Sequence, residues 1–400
     1  MFLWLLLSAS LMAYLPRSST FSSLHMLDAR AGGMGHAYTG ISDTLIGAYY
    51  NPAGLAYIDQ QRISESSNIF TSQTLTYKSR TYDFTYQQLS QSTTPPMIAY
   101  FQQFNQFNVA FSVITLSASS FNKDATIKPG SLTIHENINN TESHRLIGPS
   151  SAILLAPNLA VGASLFYSND SRHHIENTYN YITTNPNAIQ IWTNRYTKET
   201  MHELLGIFGL QWMPTPTLSI GAKLNIPYRL SGNGSEQEII GSIDHLGKTY
   251  TSSIGMVDYD LKTLGYESNP LEARLGLGLF LSESSLISVD MSIIKPKNTA
   301  NYPSKTIFAL HFGGEHYLTP YTPIRFGMYN SPSFLPSHAD GDHLNGYGSA
   351  ISLGHEFGKS KLNIGLDYRW ANGHRTSNGS TTYNVNYSSL SVLLSASSSF

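Results

Sequence analysis

The sequence predicts an all-β fold, a transmembrane antiparallel β-barrel of about fourteen strands. Three observations lead to this prediction. Only 12% of the 400 residues are charged, while Ser, Asn, Thr, Gly and 25 tyrosines supply most of the polarity. Beyond residue 60, apolar and polar residues alternate in runs of the length that a tilted strand needs to cross a bilayer. The final strand alternates in the same way and ends in an aromatic residue, Phe400.

The composition excludes several other classes. The formal net charge is −2, which gives no reason to expect a nucleic-acid partner. The absence of cysteine excludes thiol catalysis, disulfides, cysteine-ligated metal and a lipoprotein anchor. With 41% hydrophobic residues the chain is not expected to be disordered. No segment after the N-terminal block reaches the roughly eighteen apolar residues of a membrane-spanning helix, so strands are the predicted crossing elements.

Residues 1–23 are interpreted as a signal peptide. An apolar block at 2–7 leads into small residues that suit cleavage after Ser10, after Ala13 or near Ser23. No basic residue precedes the block, which departs from the usual pattern. A short buried helix is the alternative interpretation.

A glycine-rich segment follows, between residues 28 and 56. Its glycines at 32–40 favour tight backbone packing over a regular element. Asp43 predicts the cap of a short helix, and Asn51-Pro52 predicts the turn that ends it. On this pattern alone, a glycine-rich linker stays an open alternative.

Three stretches of this segment have a distinctive form and spacing. They are Ala-Arg-Ala-Gly-Gly-Met-Gly-His-Ala at 29–37, Ser-Asp at 42–43 and Tyr-Tyr-Asn-Pro-Ala-Gly-Leu-Ala at 49–56. Together they resemble the N-terminal signature of the long-chain fatty acid transporter (FadL) superfamily of outer-membrane proteins, in a form similar to its PorV-like branch. The resemblance is specific because the Asn-Pro-Ala-Gly-Leu run follows the glycines at the expected distance.

The resemblance implies a division of the chain into a hatch and a barrel. Residues 24–60 would fold as a small hatch inside the barrel lumen, and residues 61–400 would form the barrel. The resemblance also implies which residues matter in the hatch: Asn51, Pro52, Ala53 and Gly54, with the glycine-rich Gly32, Gly33 and Gly35.

The barrel strands are predicted from the alternation itself. From Lys361 to Arg369, for example, every second residue is large and apolar. A one-residue slip would place basic side chains in lipid, at about 2–4 kcal/mol each at the midplane, so the register is well specified. Residues 76–90 belong either to the first strand or to a hairpin of their own. The predicted strands are 63–75, 94–102, 107–117, 144–155, 158–168, 203–213, 217–230, 270–281, 284–294, 305–317, 322–330, 347–357, 361–371 and 385–400.

The links between strands alternate in length. Short links that predict tight hairpins lie at 156–158, 213–216, 282–284 and 358–360. Long polar links that predict loops lie at 118–143, 169–201, 231–267 and 331–345. Such alternation fits a barrel with periplasmic turns on one rim and extracellular loops on the other.

The last strand shows the predicted division of faces. From Ser389 to Phe400, even positions carry bulk and odd positions carry serines, with Leu393 as the exception. The even positions are predicted to face lipid and the serines to face the interior. Phe400 is interpreted as the C-terminal aromatic signal that the barrel assembly machinery of outer membranes recognises.

Metal binding and catalysis are not expected. The residues that suggest metal ligands lie in predicted loops, where polar side chains need no special function: His173, His174, His338, Asp340, Asp342 and His343. A serine meeting His311 or His316 is a chance possibility, but no segment carries a nucleophile motif. No cofactor is expected either.

Two strand prolines, Pro149 and Pro227, indicate a bulge or a local opening of the wall, because proline donates no ladder hydrogen bond. In the resembling superfamily a kinked strand gives lateral release of ligand from the lumen into the bilayer. A simple bulge is the other interpretation of both prolines.

By resemblance, the expected function is uptake of hydrophobic compounds, above all long-chain fatty acids, at the outer membrane of a didermic bacterium. An apolar solute needs an apolar pocket in a plugged barrel, because a water-filled pore disfavours it. The expected partners are these ligands, outer-membrane lipid and the barrel assembly machinery. Two alternatives stay open: a PorV-like carrier for secreted proteins, and a structural surface antigen. A carrier would expose apolar patches at its loop tips, whereas 169–201 and 231–267 are largely polar.

Overall fold

The computed structural model describes nine stretches of the chain: 27–58, 62–80, 85–128, 132–182, 190–244, 246–299, 303–337, 339–377 and 380–399. The predicted signal peptide, His338 and Phe400 lie outside the described residues. Within the described residues, no helix is both long enough and apolar enough to cross a membrane.

Within the nine described stretches, fifteen strands form one antiparallel sheet, and all except β8 close into a fourteen-stranded barrel. The strands are β1 (Arg62–Ser79), β2 (Thr85–Phe104), β3 (Phe107–Ile127), β4 (Leu132–Ala156), β5 (Leu159–Ile182), β6 (Gln190–Thr215), β7 (Leu218–Ile243), β8 (Thr249–Asp260), β9 (Leu271–Ser282), β10 (Ser285–Lys295), β11 (Ile307–Thr319), β12 (Thr322–Ser331), β13 (Gly341–Phe357), β14 (Ser360–Ser377) and β15 (Ser380–Ser399). Strand β1 pairs with both β2 and β15, which closes the wall. Strand β7 pairs with β6 and β9. The predicted fold class and strand number are confirmed.

Each strand divides its side chains between an outer apolar belt and the interior. On β15, Leu390 and Leu394 are 49% and 46% exposed on the outer face, whereas Ser391 and Ser395 are buried inside. Leu393, the exception in the alternating pattern, also faces the interior and is fully buried against Ala29. The residue that breaks the pattern is therefore a contact between the last strand and the N-terminal segment.

The strands continue far beyond the belt on one side of the barrel. The prediction of loops at 118–143, 169–201 and 231–267 is wrong, because β3 to β7 run through most of these residues as β-hairpins. Strands beyond the belt have polar residues on both faces, so the backbone ladder continues where the period-two signal ends. Residues 76–79 and 85–90 likewise lengthen β1 and β2.

Strand β8 lies outside the closed wall and pairs with the far end of β7. A short helix, α3 (Leu261–Leu264), follows it, whereas α1 (Ala29–Gly33) and α2 (Gly47–Tyr50) lie in the N-terminal segment. Gly265 ends α3 with φ 85°, a left-handed conformation that glycine adopts without strain. The predicted link 331–345 is irregular only until β13 begins at Gly341.

The N-terminal segment, residues 27–58, lies in the barrel interior. Its regular elements are α1 (Ala29–Gly33), α2 (Gly47–Tyr50) and a 3-10 helix (Pro52–Tyr57). Most of its side chains are buried, and its apolar residues form one cluster with inward side chains of the wall. We call residues 27–58 the hatch.

The substitution Leu366→Lys tests the assignment of the outer face. Leu366 is 45% exposed within the apolar belt of β14. A lysine there would face lipid, and we expect a loss of about 2–4 kcal/mol in the free energy of unfolding, measured by urea titration of the barrel in liposomes. Asn372→Lys is the matched control, because Asn372 is exposed on the same face of the same strand beyond the belt. Equal losses in both variants would contradict the assignment.

Candidate functional site

The hatch begins with a capped helix that is fixed where the barrel closes. Asp28 Oδ2 accepts hydrogen bonds from two backbone N–H groups of α1, at 2.9 and 3.0 Å. Ser395 of β15 donates to Asp28 Oδ1 at 3.2 Å. Ser67 of β1 donates to the carbonyl oxygen of Leu27 at 2.9 Å. The first and last strands of the barrel therefore both hold the start of the hatch.

Three pairs of glycines on the inner wall receive the backbone of the hatch. The two glycines of each pair are cross-strand neighbours, and no side chain separates them from the hatch. An added Cβ at Gly209 would lie 2.8 Å from Pro52 Cδ, and one at Gly276 would lie 2.5 Å from the backbone nitrogen of Gly40. The pairs and the hatch residues that they receive are Gly162/Gly209 with Asn51 and Pro52, Gly221/Gly276 with Thr39 and Gly40, and Gly313/Gly327 with Met34 and Gly35.

The glycines that the sequence analysis predicted as hatch residues are also in close contact with neighbouring parts of the structure. Gly35 has φ 61°, and an added Cβ would lie 2.7 Å from a backbone nitrogen of β12. Gly33 is enclosed by Ser352 of β13, and Gly54 is enclosed by another part of the hatch. Gly32 belongs to the buried α1, where its carbonyl oxygen accepts from the N–H of Gly35 at 2.9 Å.

Asn51 connects two parts of the hatch with the wall. Its Nδ2 donates to the carbonyl oxygens of Thr39 (2.9 Å) and of Leu210 on β6 (3.0 Å). Its Oδ1 accepts from the backbone N–H of Ala53 (3.2 Å) and so caps the 3-10 helix that starts at Pro52. The Asn-Pro-Ala motif thus has a defined physical role in holding the hatch.

Charged side chains hold the hatch on one side of the interior. Arg30 pairs with Asp43 of the hatch (2.6 Å) and with Glu315 of β11 (2.9 Å). Glu315 also pairs with Arg325 of β12 at 2.5 Å. In this network two guanidinium groups face two carboxylates, and the hatch supplies one of each.

A second network lies on the neighbouring strands. Glu272 pairs with Lys223 (3.3 Å) and with Arg274 (2.8 Å). Asp290 accepts from the backbone N–H groups of Tyr38 (3.1 Å) and Thr39 (2.9 Å) in the hatch. We call the charged wall residues of this side the polar sector: Lys223, Glu272, Arg274, Asp290, Glu315, Arg325, Asp367 and Arg369.

Two buried tyrosines of the hatch complete these networks. Burial raises the pKa of Tyr38 and of Tyr50 above the ordinary value, so both phenols stay protonated at neutral pH. The Tyr38 hydroxyl donates to Asp43 Oδ1 at 2.7 Å, and the Tyr50 hydroxyl lies 2.8 Å from His36 Nδ1.

The opposite side of the interior carries many apolar side chains, with buried hydroxyl and amide groups such as those of Asn108, Ser112 and Ser164 among them. Inward side chains of β2 to β6 form one buried cluster with Leu55 and Ile58 of the hatch. We call this surface the apolar sector: Met97, Ala99, Phe101, Ala110, Ile114, Leu116, Leu146, Ala152, Phe166, Leu205 and Ile207. The interior is thus divided between a charged side and a largely apolar side, and on the second side Asn108 and Ser164 also donate to carbonyl oxygens of the hatch, both at 2.7 Å.

The backbone ladder of the wall stops beside the apolar sector, although side-chain hydrogen bonds from Ser90 and Thr94 still reach carbonyl oxygens of β3. Strands β2 and β3 pair over eight residue pairs that begin at Met97 and Ile114. Beyond those residues β2 follows β1, and β3 follows β4. Pro95 and Pro96 lie where the ladder stops, and the β1–β2 register shifts at the same place. Since proline has no N–H to donate, these two residues favour the separation, which we call the β2–β3 gap.

Pro149 and Pro227, the prolines that the sequence analysis singled out, do not mark this opening. Pro149 is exposed on β4 opposite Phe111, and the β4–β5 ladder omits only residues 148 and 149 before it resumes. Pro227 pairs with Leu205 in the β6–β7 ladder. The β4–β5 register is the same on both sides of Pro149, so this site is a short interruption of the ladder and not a bulge, and the ladder between β2 and β3 stops at Pro95 and Pro96 instead.

The structure does not bring together the residues that the sequence analysis considered as metal ligands or as catalytic residues. In the described part of the chain, no group of three or more His, Asp or Glu side chains has the arrangement of a metal site. His311 Nδ1 lies 3.0 Å from the carbonyl oxygen of Gly35, so it donates there and helps to hold the hatch. His316 contacts Ser285 Oγ at 2.8 Å on the exposed side of a hairpin.

The closed barrel with a segment folded in its interior defines the class of plugged β-barrels. No protein-family model and no curated protein sequence matches the chain. Three solved structures with similar folds are a Pseudomonas aeruginosa FadL homologue (TM-score 0.62, 12% identity, 93% of this chain and 98% of that chain), the Pseudomonas putida toluene transporter TodX (0.63, 13%, 96% and 100%) and the Ralstonia pickettii toluene transporter TbuX (0.63, 11%, 93% and 98%). The chain has the FadL-type barrel fold, which agrees with the resemblance of its N-terminal signature.

The substitution Gly209→Ala tests the contact between a glycine pair and the hatch. The new Cβ would overlap the hatch backbone, so we expect a loss of stability of about 1–3 kcal/mol. Limited proteolysis should also cut the hatch faster. Gly206→Ala on the same strand is the matched control, because its Cβ would lie no closer than 3.5 Å to another atom. The contact has no structural role if the two variants behave alike.

The substitution Asn51→Ala removes three hydrogen bonds and leaves the carbonyl oxygens of Thr39 and Leu210, the first of them buried, without this donor. We expect it to destabilise the hatch by about 1–3 kcal/mol. Hydrogen exchange of the amides in the hatch is the measurement, with the amides of β14 as the internal reference. Unchanged exchange in the hatch would show that Asn51 does not hold it.

Proposed function

We propose that the protein is an outer-membrane channel for the uptake of hydrophobic compounds. The observation that carries this proposal is the β2–β3 gap, which lies beside the apolar sector of a plugged barrel. A water-filled pore would give no advantage to an apolar solute, whereas an apolar surface next to an opening in the wall offers a path into the bilayer.

Transport along this proposed route is passive. A solute leaving water for the apolar sector gains roughly 25 cal/mol per Å² of apolar surface buried. The hatch blocks the water-filled route through the barrel, because charged side chains and glycine pairs hold it across the interior. The solute would move along the apolar sector and leave through the β2–β3 gap into the apolar environment outside the belt.

The toluene transporters TodX and TbuX have similar folds, which is the comparison that favours small hydrophobic compounds as substrates. The sequence resemblance suggests long-chain fatty acids, which would be a more specific substrate class within the same proposal. Small hydrophobic compounds and long-chain fatty acids both have an apolar part that would bind to the apolar sector.

The proposed location follows from the outer face of the barrel. Large apolar side chains are exposed around the wall, for example Leu277, Phe312, Leu353 and Leu394. A membrane would cover them, and the shape of a closed barrel is the form in which strands cross a bilayer. A signal peptide at 1–23 and recognition of Phe400 by the assembly machinery are part of this proposal.

A second candidate function, a carrier for secreted proteins, is favoured by β8. The region was expected to be polar, yet Leu246, Tyr250, Met256 and Val257 are 80%, 49%, 56% and 50% exposed there. An edge strand with exposed apolar side chains can bind an extended segment of another protein. If the chain is such a carrier, the double variant Met256→Ser/Val257→Ser should release the bound secreted protein from the cell surface. Uptake of hydrophobic compounds should stay unchanged.

A disulfide across the β2–β3 gap tests the proposed exit. Thr94 Oγ1 lies 3.4 Å from the carbonyl oxygen of Ala118 on the other side of the gap, and the chain has no cysteine of its own. We expect oxidised Thr94→Cys/Ala118→Cys to lose most toluene uptake in cells and to regain it with a reductant. Ile98→Cys/Val113→Cys joins residues that are already paired and should keep full uptake. Full uptake in the oxidised gap variant would exclude this exit.

Removal of the hatch tests its role in transport. We expect deletion of residues 24–60 to change the uptake of toluene and of oleate, because the plug would no longer direct solutes toward the apolar sector. Mass spectrometry of the gently purified protein should also detect a bound hydrophobic compound. The proposal fails if no toluene, oleate or palmitate binds and the deletion leaves uptake unchanged.

A further inference from the structure

The connection between β8 and β9 folds back into the outer end of the barrel. It consists of α3 and the residues up to Asn269, after which Pro270 leads into β9. Leu261 and Asn269 are 0% and 4% exposed, so both ends of this segment are buried, although it follows a strand that lies outside the closed wall. We call residues 261–269 the outer strap.

The outer strap lies against a lateral row of positions on the wall that are in direct register. Leu146 of β4 pairs with Ser168 of β5, and Ser168 pairs in turn with Glu203 of β6. Arg229 of β7 pairs with Glu203. At the other end of the row, Ile114 of β3 lies opposite Leu146, where the β2–β3 gap begins. Ile114 and Leu146 belong to the apolar sector, so the row connects that sector with the strap.

On β5 and β6 the apolar sector is enclosed between the hatch and this row. Phe166 of β5 lies between Gly162, which receives the hatch, and Ser168 in the row. Leu205 has the corresponding position on β6. Both side chains are buried, with 0% and 1% of their surface exposed. A solute that arrives from the outer end of the barrel would have to pass the strap to reach them.

Glu203 holds the end of the outer strap. Its carboxylate accepts hydrogen bonds from the backbone N–H groups of Ser268 and Asn269, both at 3.0 Å, and from Asn269 Nδ2 at 2.7 Å. Asn269 Nδ2 also donates to Ser168 Oγ at 2.8 Å, and His144 Nε2 lies 2.9 Å from the same oxygen. Side chains of the wall therefore hold this end of the strap in the place of a backbone ladder.

The first part of the outer strap contacts the same strands. The Tyr266 hydroxyl donates to Asp170 Oδ2 on β5 at 2.7 Å, and the Tyr266 carbonyl oxygen accepts from Arg229 Nη1 on β7 at 3.4 Å. Leu261 packs over Gly232 of β7, where an added Cβ would lie 2.9 Å from the Leu261 Cβ. These contacts, with those of Glu203, attach the strap to β5, β6 and β7.

We propose that the outer strap is a lid, which must leave Glu203 and Ser168 before a solute can reach the apolar sector from outside. The inference rests on the proposed uptake function and adds an entrance on the outer side to the exit at the β2–β3 gap. The lid would close the interior above the apolar sector, as the hatch closes it below.

The way in which the strap is attached suits a part that moves. The N–H groups of Ser268 and Asn269 both donate to one carboxylate, so their release exchanges those hydrogen bonds for bonds to water and breaks no strand pairing. Glu203 keeps a positive neighbour when the strap leaves, because Arg229 occupies the opposite position in the β6–β7 ladder. Gly265 ends α3 with a left-handed φ of 85°, which gives the strap a turn at which its last residues can swing.

A disulfide between the strap and the wall tests the lid. Ser168→Cys/Asn269→Cys joins two positions whose side chains are hydrogen-bonded, and the chain has no cysteine of its own. We expect the oxidised variant to lose most toluene uptake in cells and to regain it with a reductant. Ser143→Cys/Ser171→Cys is the matched control, because it joins two wall residues that are already paired in the neighbouring part of the β4–β5 ladder. Full uptake in the strap variant, with its disulfide verified by thiol labelling, would overturn the inference.

Two variants that loosen the strap provide the opposite test. Glu203→Ala removes three hydrogen bonds to the strap, and Asn269→Ala removes two. We expect the amides of Tyr266 and Ser268 to exchange at least about fivefold faster with deuterium in both variants, and the initial rate of toluene uptake to rise. Asn372→Ala, which changes an exposed amide on β14, should alter neither measurement.

Two results of this second test would contradict the lid. Unchanged exchange in both variants would show that these contacts do not hold the strap. Faster exchange with unchanged or slower uptake would show that the strap does not limit entry.

The outcomes separate this inference from the proposed function. If the unaltered protein and the oxidised strap variant take up toluene equally well, the lid is wrong while the uptake function stands. If cells with the unaltered protein take up no more toluene than cells without it, the uptake function and the lid are both wrong. Retention of the folded barrel in each variant is checked by its migration in unheated gel electrophoresis.

Discussion

The close approach of the hatch backbone to paired glycines on the wall is the contact on which the rest of the interior depends. Because Gly209, Gly276 and Gly327 carry no Cβ, peptide groups of the hatch lie directly against the strands. Any larger side chain would push the hatch toward the centre of the barrel. Only at this short distance do Asp290 and Asn51 reach backbone groups on the other side of the contact.

This position of the hatch divides the interior into two unlike halves. On one half, ion pairs such as Arg30 with Glu315 cross from the hatch to the wall and use up the buried charge. On the other half, Phe101, Phe166 and Ile207 pack against the hatch. Its polar contacts there are made by uncharged side chains such as Asn108 and Ser164. The β2–β3 gap lies on the apolar half, so a solute reaching it has no ionic network to disrupt. Under the proposed uptake function, the way in which the hatch is held leaves the largely apolar half as the path for the solute.

The sequence predicted the barrel well and its interior only in part. Period-two alternation fixed the strands within the belt, because each residue there must face either lipid or the interior. It missed the long hairpins of β3 to β7, where both faces are polar. The sequence analysis also missed the wall glycines. Each of them occupies an inward position in an alternating strand, and a glycine at such a position is a signal for a close backbone contact. Leu393 was visible as an exception in the pattern, but its partner Ala29 was not.

The sequence by itself determined the class of fold, the side of each strand that faces lipid, and the hatch motif around Asn51. The fold class and the lipid-facing sides follow from alternation, which acts over a few residues. The hatch motif around Asn51 follows from the resemblance to the FadL superfamily signature. Only the tertiary structure decided that Glu65 lies opposite Ala99, that each glycine pair meets the hatch, and that Pro95 and Pro96 separate two strands. Those contacts join residues far apart in the chain, and their register depends on the closure of the whole barrel.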